Sequence, residues 1–152
     1  MKKLFTILTF AVVGFAFAQE EEPKFNVTGS VDAYFRANLT SSNVGSTGDY
    51  SAFNNDSGFS LGLANVTLSY EGEKVGFIAD LAVGQRADQY NGEGSIVNEA
   101  YMYWNVSEKV TLQMGRFNNW MGYEELSAAN NFHYSMSHMF TYSARNFNGL
   151  VA

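Results

Sequence analysis

The sequence predicts an all-β fold: an antiparallel up-and-down transmembrane β-barrel, incomplete, with about five to six strands of a larger barrel present. Three observations predict it. Apolar and polar residues alternate with period two over long stretches. The connections between those stretches alternate long and short. The first residues are those of an exported protein.

Lys2 and Lys3 form a positive start, and Leu4 to Phe15 is an apolar run broken only by Thr6, Thr9 and Gly14. Ala16-Phe17-Ala18 supplies small residues for cleavage, so residues 1–18 read as a signal peptide. The run is too short for a membrane-spanning helix, which needs about 20 apolar residues. Residues 19–24 follow as an acidic periplasmic leader holding the single proline, Pro23. Losing the two lysines takes the net charge from −6 to −8. No basic patch remains, which disfavours a nucleic-acid partner. There is no cysteine, hence neither a lipid anchor nor a disulfide framework. No linker interrupts residues 25–152, which read as the N-terminal part of one barrel domain.

The first strand is the cleanest. Phe25, Val27, Gly29, Val31, Ala33, Phe35, Ala37 and Leu39 share one face, and Asn26 to Thr40 at even positions share the other. Strands of soluble proteins run about 5 or 6 residues, whereas a tilted strand crossing a bilayer needs about 9 to 11. A polar loop spans 41–57. The second strand, from about Phe59 to Tyr70, slips phase at Leu63-Ala64, as a β-bulge or emergence above the membrane would cause. A tight corner, 71–74, leads into the third strand, Val75 to about Arg86, in which Ile78 is the one large apolar residue on the polar side. After a polar loop, 87–94, the fourth strand runs from about Ile96 to Asn105. The corner 107–109 precedes the fifth, Val110 to Phe117. A long connection, 118–146, leads to a sixth strand that is under way at the last residue.

Outer-membrane barrels have short periplasmic turns and longer extracellular loops. With a periplasmic N-terminus, every connection here falls on the matching side. The corners also repeat: Glu73-Lys74-Val75 returns as Glu108-Lys109-Val110, 35 residues later, which is a hairpin period. Aromatic residues gather near strand ends, as two girdles at the membrane interfaces would require. The candidate interface aromatics are Phe35, Phe59, Tyr70, Trp104, Phe117 and Trp120.

These residues carry a resemblance. Ala64-Asn65-Val66-Thr67-Leu68-Ser69-Tyr70-Glu71-Gly72, Ala100-Tyr101-Met102-Tyr103-Trp104 and Met114-Gly115-Arg116-Phe117, leading to Gly122-Tyr123-Glu124, resemble the N-terminal part of the OmpL-like β-barrel porins of Bacteroidetes-type, Gram-negative bacteria. Asn131 to Ser135 and Gly149-Leu150 are similar to the segment after the fifth strand. The resemblance implies an outer-membrane porin, a passive diffusion channel for small hydrophilic solutes. Ser143 to Gly149 departs from the family's proline- and histidine-bearing pattern, so loop detail does not carry over. Family members are longer, so the sequence is expected to be an N-terminal fragment: five strands close no lumen, the smallest barrels having about 8. The implied partners are outer-membrane lipid, the solutes, the barrel-assembly machinery and, for a partial barrel, further copies of the chain in a homo-oligomer.

By parity the candidate pore-lining residues are Asp32, Tyr34, Arg36, Asp80, Arg86, Glu99, Tyr101 and Tyr103. Charged rings tune ion preference in channels. Arg116 breaks parity on the lipid face, where it would snorkel to the interface. The connection 118–146 has the position and length of a loop that folds inward and narrows a lumen. His133 and His138 lack metal-ligand spacing, and no cofactor is implied. Glu124 and Glu125, as neighbours on a strand, would face opposite ways, no third group with a clear role stands near them, and no Gly-x-Ser-x-Gly motif or phosphate loop is present, so no enzyme activity is expected. The competing readings are a non-transporting barrel whose long extracellular loops bind a ligand or partner, and a secreted soluble sandwich.

Overall fold

The computed structural model describes residues 24–40, 56–92 and 94–152. The segment expected to be a signal peptide, nearly all of the expected leader and most of the first loop lie outside the described residues. Six strands form one antiparallel sheet in chain order, each bonded to the next. They are β1 (Lys24–Arg36), β2 (Gly58–Glu71), β3 (Val75–Val83), β4 (Val97–Ser107), β5 (Val110–Asn118) and β6 (Asn146–Val151). The sheet is up-and-down and not closed; β1 and β6 are its edges.

The alternation in the sequence is the alternation of faces. Pairing aligns Val31 with Ala64, Ala64 with Val83, and Phe77 with Met102 on one face. It aligns Thr28 with Thr67, Thr67 with Asp80, and Asp80 with Glu99 on the other. The apolar face is the exposed one: Val31 is 76% accessible and Phe59 89%, whereas Asp80 is 8% accessible. Water-soluble domains order burial the opposite way.

Two bulges adjust the register at the long-loop end of the sheet, and a third shift lies at the β4–β5 corner, where Asn105 pairs with Thr111 but Ser107 with Val110. Asp32 pairs with Leu63 and Ala33 with Leu61, leaving Gly62 as an extra residue in β2. This is the cause of the phase slip at Leu63-Ala64. In β4, Asp80 pairs with Glu99 but Leu81 with Val97, so Asn98 is the extra residue. Each bulge turns an additional side chain position toward the polar side at the long-loop end of the sheet.

Several boundaries differ from the sequence-based expectation. β1 ends at Arg36 although alternation persists to Thr40, because its partner β2 begins at Gly58 and no ladder is available beyond it. β3 ends at Val83, and a short helix, α1 (Gln85–Asn91), replaces its expected end and most of the expected loop. Arg86 therefore sits on α1 and not on a strand. The long third connection holds a 3₁₀ turn (Ala128–Asn130) and a one-turn helix, α2 (His138–Tyr142), capped by Ser137, whose hydroxyl accepts from the Phe140 N–H at 3.2 Å.

The small core forms where α1 and this connection pack on the polar face. Leu63, Ala82, Ala87, Tyr90 and Leu126 are buried together, with Phe140 stacked on Tyr90 at 5.4 Å between ring centres. Leu63 and Ala82 are the small or apolar members of the polar face, and they mark where the connection lands. Elsewhere that face is held by hydrogen bonds: Ser30 donates to Asn65, and Asp80 accepts from Asn65 (2.9 Å), Thr67 (2.7 Å) and Asn98 (2.7 Å). One polar ladder thus ties β1, β2, β3 and β4 together.

Candidate functional site

The polar face and the connection lying over it form the candidate site. Asp32, Tyr34 and Arg36 project from β1, Asp80 from β3, and Glu99, Tyr101 and Tyr103 from β4, all on this face. They do not form one cluster. The structure sorts them into three groups by height along the strands.

The first group centres on a charge pair. The fully buried Arg86 places Nε 3.4 Å from Asp32 Oδ2. Tyr134, from the third connection, closes the arrangement: its hydroxyl donates to Asp32 Oδ2 at 2.8 Å, and its ring lies 4.2 Å from the guanidinium carbon of Arg86. Arg86 also donates to the Tyr134 carbonyl oxygen. Gly62 faces this contact, and a Cβ there would meet both Asp32 and the Tyr134 hydroxyl. The bulge and its glycine therefore make room for the loop to dock. The Tyr34 ring lies tilted against that of Tyr134, with 5.8 Å between ring centres, and its hydroxyl donates to Gln85 of α1 at 2.6 Å. Arg36 stands apart at the rim, donating to Asn38 and Ser57.

The second group lines a cavity of about 460 Å³ between the strands and the connection. Asp80 and Glu99 contribute from the wall; Glu124, Glu125 and Trp120 contribute from the loop. Glu124 and Glu125 lie outside any strand, so both reach the same cavity although adjacent in sequence. Glu99 accepts from the Asn118 N–H at 2.8 Å, and Glu124 accepts from the Ser137 N–H at 2.8 Å and from its hydroxyl. Asn130 donates to Glu125 at 2.6 Å. These contacts hold the carboxylates in place with oxygen lone pairs to spare.

The third group is aromatic. Tyr101 meets Phe117 edge-on at 6.4 Å, and Tyr103 lies against Gly76.

The aromatics divide by face. Phe35 and Phe59 pair at 4.8 Å on the apolar face near the long loops; Tyr70 and Phe77 stack at 6.0 Å on the same face near the short turns, with Trp104 close by in register. Phe117 and Trp120 do not belong with them. Phe117 is two residues from Gly115, which pairs with Tyr101, so parity sets it on the polar face, where it is buried against Trp120 and Phe147. Arg116 has the apolar-face position opposite Ala100, and its guanidinium reaches the rim to donate to Asn91 of α1 at 3.3 Å.

Asn65, Thr67, Asn98 and Tyr134 were not singled out by sequence reasoning. Asn65 and Thr67 share the parity of the residues that were, and that signal was available. Asn98 depends on a bulge, and Tyr134 on a contact 102 residues away, neither of which leaves a local pattern. Among the described residues, no group of three or more His, Cys, Asp or Glu is placed to hold a metal ion.

No curated protein and no solved structure matches the chain. A family match covers residues 24–151, which span the whole sheet and every connection within it. Six alternating strands with an exposed apolar face, and a polar face crossed by a long connection, agree with that match: the chain belongs to the family described as "Putative beta-barrel porin-2, OmpL-like".

Proposed function

We propose that this chain forms part of an outer-membrane porin, a passive diffusion channel for small hydrophilic solutes. The observation that carries the reading is the inverted burial of the sheet, whose apolar face is open and whose charged face is covered. Hydrocarbon is the solvent that suits the open face. From Phe25 to Phe35 is ten residues, and at about 3.3 Å per residue and a tilt of about 40° this rises about 25 Å, the height of a barrel's apolar band. An apolar groove of about 700 Å³ on that face, bordered by Tyr70, Phe77, Met102, Trp104, Met114 and Leu150 among others, is a shape that acyl chains fill.

Asp32, Tyr34, Arg36, Asp80, Glu99, Tyr101 and Tyr103 would line the water-filled side, with Arg86 behind the first of them. The third connection would narrow the passage, since it lies across the polar face. Residues 1–18 would direct export and be removed, with Gln19 the first residue of the mature chain.

Planar-bilayer conductance of the protein as encoded, purified from outer membranes, tests this. Steady conductance with passage of small neutral and charged solutes is expected. A protein that inserts but conducts nothing would favour a non-transporting barrel, and recovery in the soluble periplasmic fraction would reject both.

A further inference from the structure

One large ring is exposed on the side of the sheet that lipid does not reach. Trp120 is 66% accessible, yet it packs with Phe117 and Phe147, which pair with each other on the polar face. Its ring centre lies 5.7 Å from that of Phe117 and 5.4 Å from that of Phe147, at interplanar angles of 30° and 34°. Phe117 is itself buried, and Tyr101 meets it edge-on, so rings from β4, β5 and β6 back the indole and hold it in place. The rest of the indole is open on a wetted face. An aromatic surface fixed from behind and bare in front suits an apolar patch carried by a water-soluble molecule.

The cavity of about 460 Å³ that Trp120 lines narrows what that molecule is. Volumes of about 300–1,000 Å³ suit small organic ligands. Two amides of the lining have one end engaged and the other to offer. Asn119 accepts the Met121 N–H on its oxygen at 2.8 Å, which leaves its NH₂ group as a donor. Asn130 gives its NH₂ group to Glu125 at 2.6 Å, which leaves its oxygen as an acceptor. Ser127 adds a hydroxyl, which can do both. A hydroxyl on the ligand likewise donates and accepts, whereas an ammonium only donates and a carboxylate only accepts. A pyranose ring joins the two requirements. Its C–H bonds form an apolar face that meets the negative face of an aromatic ring, and its hydroxyls stand around the edge. The carboxylates of the wall disfavour a sugar acid, since like charges repel.

We propose that Trp120 and this cavity bind neutral pyranose sugars, with the sugar face against the indole. The proposal rests on the channel reading, which puts water on this side of the sheet, and it names the class of solute.

The test is calorimetric titration of the protein as encoded with cellobiose, in a detergent without a sugar headgroup. Sorbitol has the hydroxyls but no ring face, and glucuronate has the ring and a negative charge; these are the comparisons. Cellobiose is expected to bind at least about tenfold more tightly than either. Trp120→Ala should weaken cellobiose by about tenfold, and Trp120→Phe, which keeps a ring face, by less. Heat-dependent gel migration verifies that each variant is folded. The sorbitol comparison is read on the parent protein, so it decides even if Trp120→Ala does not fold. Sorbitol or glucuronate binding as tightly as cellobiose, or folded Trp120→Ala binding as the parent does, would overturn the proposal. So would absence of cellobiose binding in a protein that still conducts, an outcome that leaves the channel reading standing. Cellobiose binding by a protein that conducts nothing supports the site and counts against the channel.

Discussion

Tyr134 donates its hydroxyl hydrogen bond to Asp32 across 102 residues of sequence, at 2.8 Å. This contact fastens the middle of the third connection to the first strand, and Arg86 completes it from α1. The connection is thus held at a point far from both of its ends.

Removing that hydroxyl should loosen the connection without disturbing the sheet. Tyr134→Phe keeps the ring over Arg86 and loses one hydrogen bond to a charged group, a cost of about 1.5–3 kcal/mol. Gly62→Ala should act in the same direction, because its Cβ would occupy the space of the contact. Limited proteolysis within 119–145 checks both: faster cleavage in the connection, with the strands still protected, is the expected result.

Breaking the charge pair should cost more. Arg86→Met leaves Asp32 beside an apolar group, and losing one partner of a buried pair costs about 3–5 kcal/mol, reduced here because Asp32 keeps partial contact with solvent. The double variant Asp32→Asn with Arg86→Met should recover part of the loss. Urea unfolding in detergent, read as a double-mutant cycle, measures it.

Docking of the connection should fail at high pH. Burial raises the ionisation of Tyr134 above the ordinary tyrosine value of 10.0, and its hydrogen bond to Asp32 adds to the rise. Burial also raises Tyr90, whose hydroxyl donates to the Arg145 carbonyl at 2.6 Å. A group whose folded value is raised stabilises the fold fully below its unfolded value and loses that contribution as pH climbs through the folded one. Protease resistance of the connection should therefore be level up to about pH 10 and decline above it. Tyr134→Phe and Tyr90→Phe together should flatten the decline.

Charge on the apolar face separates lipid from water as its surroundings. Val31 lies near the middle of the stretch from Phe25 to Phe35 and is among the most exposed aliphatic residues of the sheet. Val31→Arg would be nearly neutral on a water-facing surface but costs about 2–4 kcal/mol at a bilayer midplane. Comparing folding yield in lipid vesicles with that in detergent measures the difference, and a loss confined to vesicles is expected.

Much of this was legible from period-two alternation, because in a barrel wall the local pattern and the final environment coincide. The sheet order, both short turns and the faces of Asp32, Asp80, Glu99, Tyr101 and Tyr103 followed from it. The helix α1 did not: Gln85 to Asn91 has no side-chain cap and too few apolar residues for a periodic signal. It is held by Ala87 and Tyr90 packing on Leu63, Ala82 and Leu126, contacts that only the folded chain makes. Phe117 was misplaced for another reason. Its position near a strand end suggested a girdle, while its parity with Thr111 and Gln113 already placed it on the polar face.

Two glycines of the sheet stand opposite tyrosines of β4. Gly76 is opposite Tyr103 and Gly115 opposite Tyr101 in the ladder, and a Cβ at Gly76 would strike the Tyr103 ring. The Tyr103 ring therefore reclines sideways over Gly76 on the neighbouring strand, whereas at Gly115 an added Cβ would meet the Ala100 carbonyl and the Cα and Cβ of Tyr101. Enlarging Gly76 would lift the aromatic plate of Tyr103 off the sheet, so a single missing methyl sets how far the ring stands out from the polar face.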